Sequence, residues 1–164
     1  PDGSLRADLP VFNIQQDKAR YYGAEFEGSV RVAQMGDFAV SLDGVGDFTR
    51  ATIRTPLGSQ SAPRIPAMRL LGGVEAKSDM IDGRIEAEWV DGQSRIAPFE
   101  TATKGYTLVN ASVELRPWGK DRDVSLLLSG NNLLDVDARR HASFLKDYAP
   151  LSGRDLRVTL RFGF

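Results

Sequence analysis

The chain has 164 residues, a formal net charge of −1, 41% hydrophobic residues and no cysteine. Balanced charge removes the electrostatic case for a nucleic-acid partner. The missing thiols exclude disulfides and thiolate metal centres, and no apolar run approaches the ~20 residues of a membrane helix. The sequence opens on Pro1 with no apolar leader, which reads as a piece or processed form and leaves the address open.

Residues 1–17 are polar and irregular and read as a loop or the end of a preceding strand. Strict alternation begins at Lys18. Tyr22, Ala24, Phe26, Gly28, Val30 and Val32 share one face, and Glu25, Glu27, Ser29 and Arg31 the other. The tetrapeptide Gln34-Met-Gly-Asp37 predicts a tight turn. A second strand then sets Phe38, Val40, Leu42, Gly44 and Phe48 against Ser41, Asp43 and Asp47. Three prolines make residues 52–66 a long loop.

The third strand alternates Met68, Leu70, Gly72, Val74 and Ala76 with Arg69 and Glu75. The fourth alternates Ile81, Ile85, Ala87 and Trp89 with Asp82, Arg84, Glu86 and Glu88, after a short turn at Ser78-Asp-Met80. A loop is expected over 96–104. The fifth strand carries Val109, Ala111, Val113 and Leu115 against Asn110, Ser112, Glu114 and Arg116. After a turn at residues 117–122, the sixth carries Val124, Leu126 and Leu128 against Ser125, Leu127 and Ser129. The longest loop covers 132–152. In the last strand Leu156, Val158, Leu160, Phe162 and Phe164 oppose Arg157, Thr159, Arg161 and Gly163.

Seven strands therefore occupy 18–164, and their connections alternate short and long. All-β, antiparallel, up-and-down architecture follows, and the rhythm is that of a transmembrane β-barrel with small periplasmic turns and larger extracellular loops. The charged residues keep to one face, as a watery lumen allows; lumen carboxylates could line a cation route or contact a plug, but pairing with the lumen arginines is the plainer reading. A soluble antiparallel sheet with one wet face shares this pattern, and ending on an aromatic favours the barrel. Tyr21, Tyr22, Trp89, Phe99 and Tyr106 fall toward one set of strand ends, and Phe38 and Trp118 toward the other. That is the placement of two aromatic girdles.

Catalysis finds no support. There is one histidine, no Gly-x-Ser-x-Gly, no phosphate-binding loop, no dinucleotide fingerprint and no zinc-protease helix, so neither an enzyme nor a bound cofactor is expected. His141 lies in the longest loop near Asp135 and Asp137, a combination that suits zinc or another divalent ion. It also suits a histidine held in place by loop hydrogen bonds. Asp121-Arg-Asp123 and Asp135-Val-Asp137 lack the spacing of a calcium loop.

The stretch Asn131-Asn-Leu-Leu-Asp135, then His141 through Gly153-Arg154, then a strand ending in Phe164, resembles the C-terminal end of TonB-dependent outer-membrane receptors. Leu9-Pro-Val-Phe-Asn13 and Ala19-Arg-Tyr-Tyr-Gly-Ala-Glu-Phe-Glu-Gly28 are similar to segments of the same family, most of all its zinc-uptake branch. The resemblance covers nearly the whole chain. It implies that residues 1–164 are part of a larger barrel in the outer membrane of a Gram-negative bacterium, with Phe162 and Phe164 in the closing strand. Expected partners are lipid, the remaining strands, an N-terminal plug, TonB acting through that missing part, and a scarce nutrient such as a metal ion, siderophore or haem. A passive porin-like channel and a soluble β-sandwich that binds sugars or mediates adhesion are the alternatives.

Overall fold

The computed structural model describes residues 5–6, 9–10, 17–121 and 123–163. Among these, no helix forms; every regular element is a strand. In chain order they are β1 (Leu5–Arg6), β2 (Leu9–Pro10), β3 (Lys18–Met35), β4 (Phe38–Thr55), β5 (Gly58–Ser61), β6 (Arg69–Lys77), β7 (Ile81–Val90), β8 (Tyr106–Leu115), β9 (Val124–Asn131) and β10 (Asp155–Phe162). β1 and β2 form a two-residue antiparallel ribbon. The remainder build one open antiparallel sheet in the order β10-β9-β8-β7-β6-β4-β3, with β5 paired to β4. This is the expected meander of seven long strands.

Register fixes which residues share a face, because residues directly opposite in an antiparallel pair point the same way. Phe26 faces Gly46, Gly46 faces Leu70, and Leu70 faces Trp89. Val74 faces Ile85, Ile85 faces Ala111, Val113 faces Leu128, and Leu128 faces Val158. An unbroken apolar surface thus crosses all seven strands. Nothing among the described residues covers it: Phe26 is 65% exposed, Ile85 53% and Val158 72%. Among the described strand residues, charges appear on this side only at one end, where Lys18, Arg20, Arg50 and Arg54 extend the β3–β4 hairpin. There Arg20 lies over the Tyr22 ring and Arg50 over Phe48, with 5.7 and 5.1 Å to the centroids.

The opposite face carries the other charges, tied across strands. Arg84 on β7 reaches over β6 to both Asp43 oxygens and also donates to Glu86, whose other oxygen accepts from Asn110. Gly73 on β6 lies under that bridge: a Cβ there would stand 2.5 Å from Arg84 Nη2. Arg69 donates to Asp47 at 2.6 Å, and Arg116 binds Asp82 and Glu114. The expectation that the carboxylates of this face pair with arginines holds for Asp43, Asp47 and Glu86, and at 3.9 Å for Glu88. Glu25 and Glu27, on edge strand β3, form no ion pair among the described residues.

Three expectations need correction. β4 runs on to Thr55 and turns back through β5, so the first part of the 52–66 loop is a hairpin. Pro56 occupies the turn, where its fixed φ is an asset. Gly58 supplies a φ of +125°, and Thr55 Oγ1 donates to Gly58 O and accepts from Leu57 N. Second, a register shift between Arg31 and Ala33 makes Val32 a bulge residue, and Ala33 and Met35 take the apolar-side pairings with Val40 and Phe38. Third, Tyr106 is not a girdle residue. It points to the polar side beneath the last loop, only 8% exposed, and packs with Leu108, Ala138, Val90, Val136 and Leu151. Tyr21 also lies opposite the apolar face, Phe99 projects fully exposed from a loop, and Trp118 sits in a turn. Tyr22, Trp89 and Phe38 do share the apolar side. Phe162 lies on it too, opposite Val124, whereas Phe164 falls outside the described residues.

The corner at Asn131-Asn-Leu-Leu-Asp135 has a physical reason for its composition. Asn132 and Asp135 both adopt positive φ, 48° and 56°, a region Asn and Asp tolerate better than most side chains. Asn132 is 4% exposed; its amide donates to Val136 O and Ser152 O, and its Oδ1 accepts from Val136 N. Asp135 Oδ1 accepts from Arg154 N at 2.9 Å, joining the corner to the start of β10. Asn132→Ala leaves three backbone groups without these partners. It should cost on the order of 2–4 kcal/mol, read as a lower midpoint in denaturant unfolding, while Asn131→Ala on the exposed neighbour should stay near wild type.

Candidate functional site

The meander brings three loops to one end of the sheet: residues 62–68, 91–105 and 132–154. Their packing is organised by one carboxylate. Glu100 Oε1 accepts from Arg64 N at 2.9 Å and Lys146 Nζ at 3.2 Å, and Oε2 accepts from Ala97 N at 3.0 Å. All three loops therefore converge on a single side chain. Lys146, 6% exposed, also donates to Thr101 O at 2.7 Å, and Arg139 donates to Lys146 O at 2.7 Å. Within loop 91–105, Gln93 and Thr103 exchange two backbone hydrogen bonds. At the rim, Arg64 stacks on Phe144 with 3.2 Å to the ring centroid.

His141 sits inside this cluster at 4% exposure. Its Nδ1 is 3.0 Å from Thr103 Oγ1 and 3.4 Å from Lys146 Nζ. An ammonium can only donate, so Nδ1 acts as acceptor and the ring proton belongs on Nε2. Nε2 lies 3.2 Å from Glu100 Oε1, yet the angle is too poor for a hydrogen bond. Burial, followed by the Lys146 charge, lowers the His141 pKa below its ordinary value of 6.5, against the pull of Glu100. Burial alone would raise Glu100, but the Ala97 and Arg64 amides and Lys146 outweigh it and hold the carboxyl below its ordinary range.

The three metal candidates are not brought together. His141 is committed through Nδ1 to Thr103 and Lys146; Asp135 caps Arg154; Asp137 is exposed and 3.6 Å from Arg139. Among the described residues no group of three His, Cys, Asp or Glu side chains is placed to hold a metal ion. The loop-holding role for His141 is the one the geometry supports. Glu100 and Lys146 escape a reading of the sequence because their partners lie up to 46 residues away, with no local spacing to mark them. No protein-family model matches the chain.

The sign of the His141 shift sets a pH dependence. A histidine whose folded pKa is depressed contributes stability that is full above its unfolded value and is lost as pH falls. Loop protection should therefore be complete above pH 6.5 and weaken as the pH drops below it. Limited proteolysis or amide exchange of residues 91–105 and 132–154 measures this. His141→Gln should flatten that step, while the further loss from Glu100 protonation, below its ordinary 4.5, should remain.

Proposed function

We propose that this chain forms the C-terminal wall and loops of a TonB-dependent outer-membrane receptor for a scarce nutrient: a metal ion, siderophore or haem. The observation that carries the reading is the unbroken, uncovered apolar face across seven strands, with cross-strand ion pairs on the other side. In water such a surface has no favourable solvent; against hydrocarbon it needs none. β6 to β10 have 8–10 residues each, close to the ~9–11 that a tilted strand needs to cross a bilayer. The pairs Arg20–Tyr22 and Arg50–Phe48 suit a headgroup boundary, where rings anchor and cations reach water.

In this reading the free edges of β3 and β10 join the strands that complete the barrel. The loops knotted by Glu100 form part of its outer mouth. Transport proceeds by binding and gated passage, with a plug rearranged through TonB and no covalent chemistry by these residues. The corner at Asn132, similar to that of the receptor family, is what distinguishes this proposal from a passive channel.

Two arginine substitutions separate the faces. Val74→Arg on the apolar side should destabilise the bilayer-folded protein by about 2–4 kcal/mol. Leu127→Arg, opposite Glu114 on the polar side, should be close to neutral. Folding into vesicles, followed by heat-modifiable gel mobility, reads both; equal costs, or a soluble monomer without detergent, would sink the membrane reading. Nutrient-limited growth that persists without TonB would leave only the channel.

A further inference from the structure

At the loop end of the apolar side, the corner formed by β3, β4 and β5 frames a hollow of about 440 Å³. Lys18, Arg20 and Arg54 line it, together with the Tyr22 ring and the hydroxyl residues Thr52 and Ser59. No carboxylate lines it, Asp17 included. Register sets Lys18 directly opposite Arg54, and Arg50 opposite Tyr22. Like charges facing each other across a strand pair destabilise it unless an anion intervenes. Among the described residues, none of these four cations has an ion pair or a side-chain hydrogen bond; Arg20 and Arg50 have only the rings beneath them. Asp91 shares a different hollow with Arg50, and its carboxylate caps Gly92 N.

We propose that this corner holds the phosphate of an anionic lipid headgroup, with Lys18, Arg20 and Arg54 as its counter-ions and the two hydroxyls as further donors. A guanidinium fork matches phosphate oxygens, and the lysine adds a point charge. The same side of β3 and β4 runs on into Tyr22, Phe48 and Phe26. A lipid seated by its phosphate therefore lays its acyl chains along the apolar face, whereas a free phosphate would use the cations alone. Height agrees. Lys18 is four residues beyond Tyr22 on β3, which is ~13 Å along a strand. At a tilt of ~45° that is ~9 Å of depth, close to a headgroup layer of ~5–8 Å. Such a site requires the apolar face to lie in a bilayer, and so rests on that reading.

The chain is folded into phosphatidylcholine vesicles that carry a minor fraction of phosphatidate, released in alkyl maltoside, and its retained lipid identified by native mass spectrometry. Phosphatidate should be retained above its share of the vesicle lipid by about tenfold or more. Arg20→Gln with Arg54→Gln should reduce that enrichment severalfold. Lys77→Gln with Arg157→Gln, which removes the same charge from the opposite face, should leave it unchanged. Should the first variant fail to fold, Lys18→Gln with Arg54→Gln replaces it. Inorganic phosphate at fixed ionic strength should not displace the lipid; complete displacement marks a free-anion site and overturns the lipid assignment. A chain that folds into the vesicles but retains both lipids in proportion, or retains phosphatidate equally after the arginines are replaced, overturns this site alone. A chain that enters no vesicle overturns the bilayer reading and the site together.

Discussion

Everything in this molecule depends on the separation of two faces by the pleat of the strands. A period of two lets one sequence present hydrocarbon to one side and carboxylates and guanidinia to the other. Register carries that separation from strand to strand: a slip of one residue anywhere would put Asp43 or Arg84 among valines. The cross-strand ion pairs are partly exposed and each contributes little by itself. Their value lies in position. Arg84 spans from β7 to β4 across the glycine of β6, and only one alignment of three strands permits it.

The loops obey a different rule. With almost no buried aliphatic side chain, the end of the sheet is held by a small cluster around Tyr106 and by hydrogen bonds to Glu100. One carboxylate receives donors from all three loops, so its ionisation and their arrangement are linked. His141 and Lys146 complete the enclosure, which makes the loop cluster more acid-sensitive than the sheet that carries it.

What the sequence disclosed follows from the range of each interaction. Alternation is local, so the strands, their faces and the turns at Gly36 and Gly119 could be read directly. The hairpin within 52–61 is masked in the sequence because proline commonly breaks a strand, whereas Pro56 occupies the turn between β4 and β5. The bulge at Val32 left no mark, since Val32 and Ala33 suit either face. The burial of Tyr106 is not local information: the loop that covers it arrives from Ala138 and Leu151. The same distance problem hid Glu100. His141, by contrast, was noticeable as a lone imidazole among carboxylates, although the contacts it makes are with Thr103 and Lys146 rather than with Asp135 or Asp137.

Each long strand pairs only with its nearest long neighbours in the chain, and no connection crosses another. The hairpin is consequently a modular unit. Duplicating or deleting one would lengthen or shorten the wall by two strands, leave every other register unaltered, and keep both faces on their proper sides. Such a sheet can change its width through whole-hairpin steps in its lineage, without an intermediate whose two faces are exchanged.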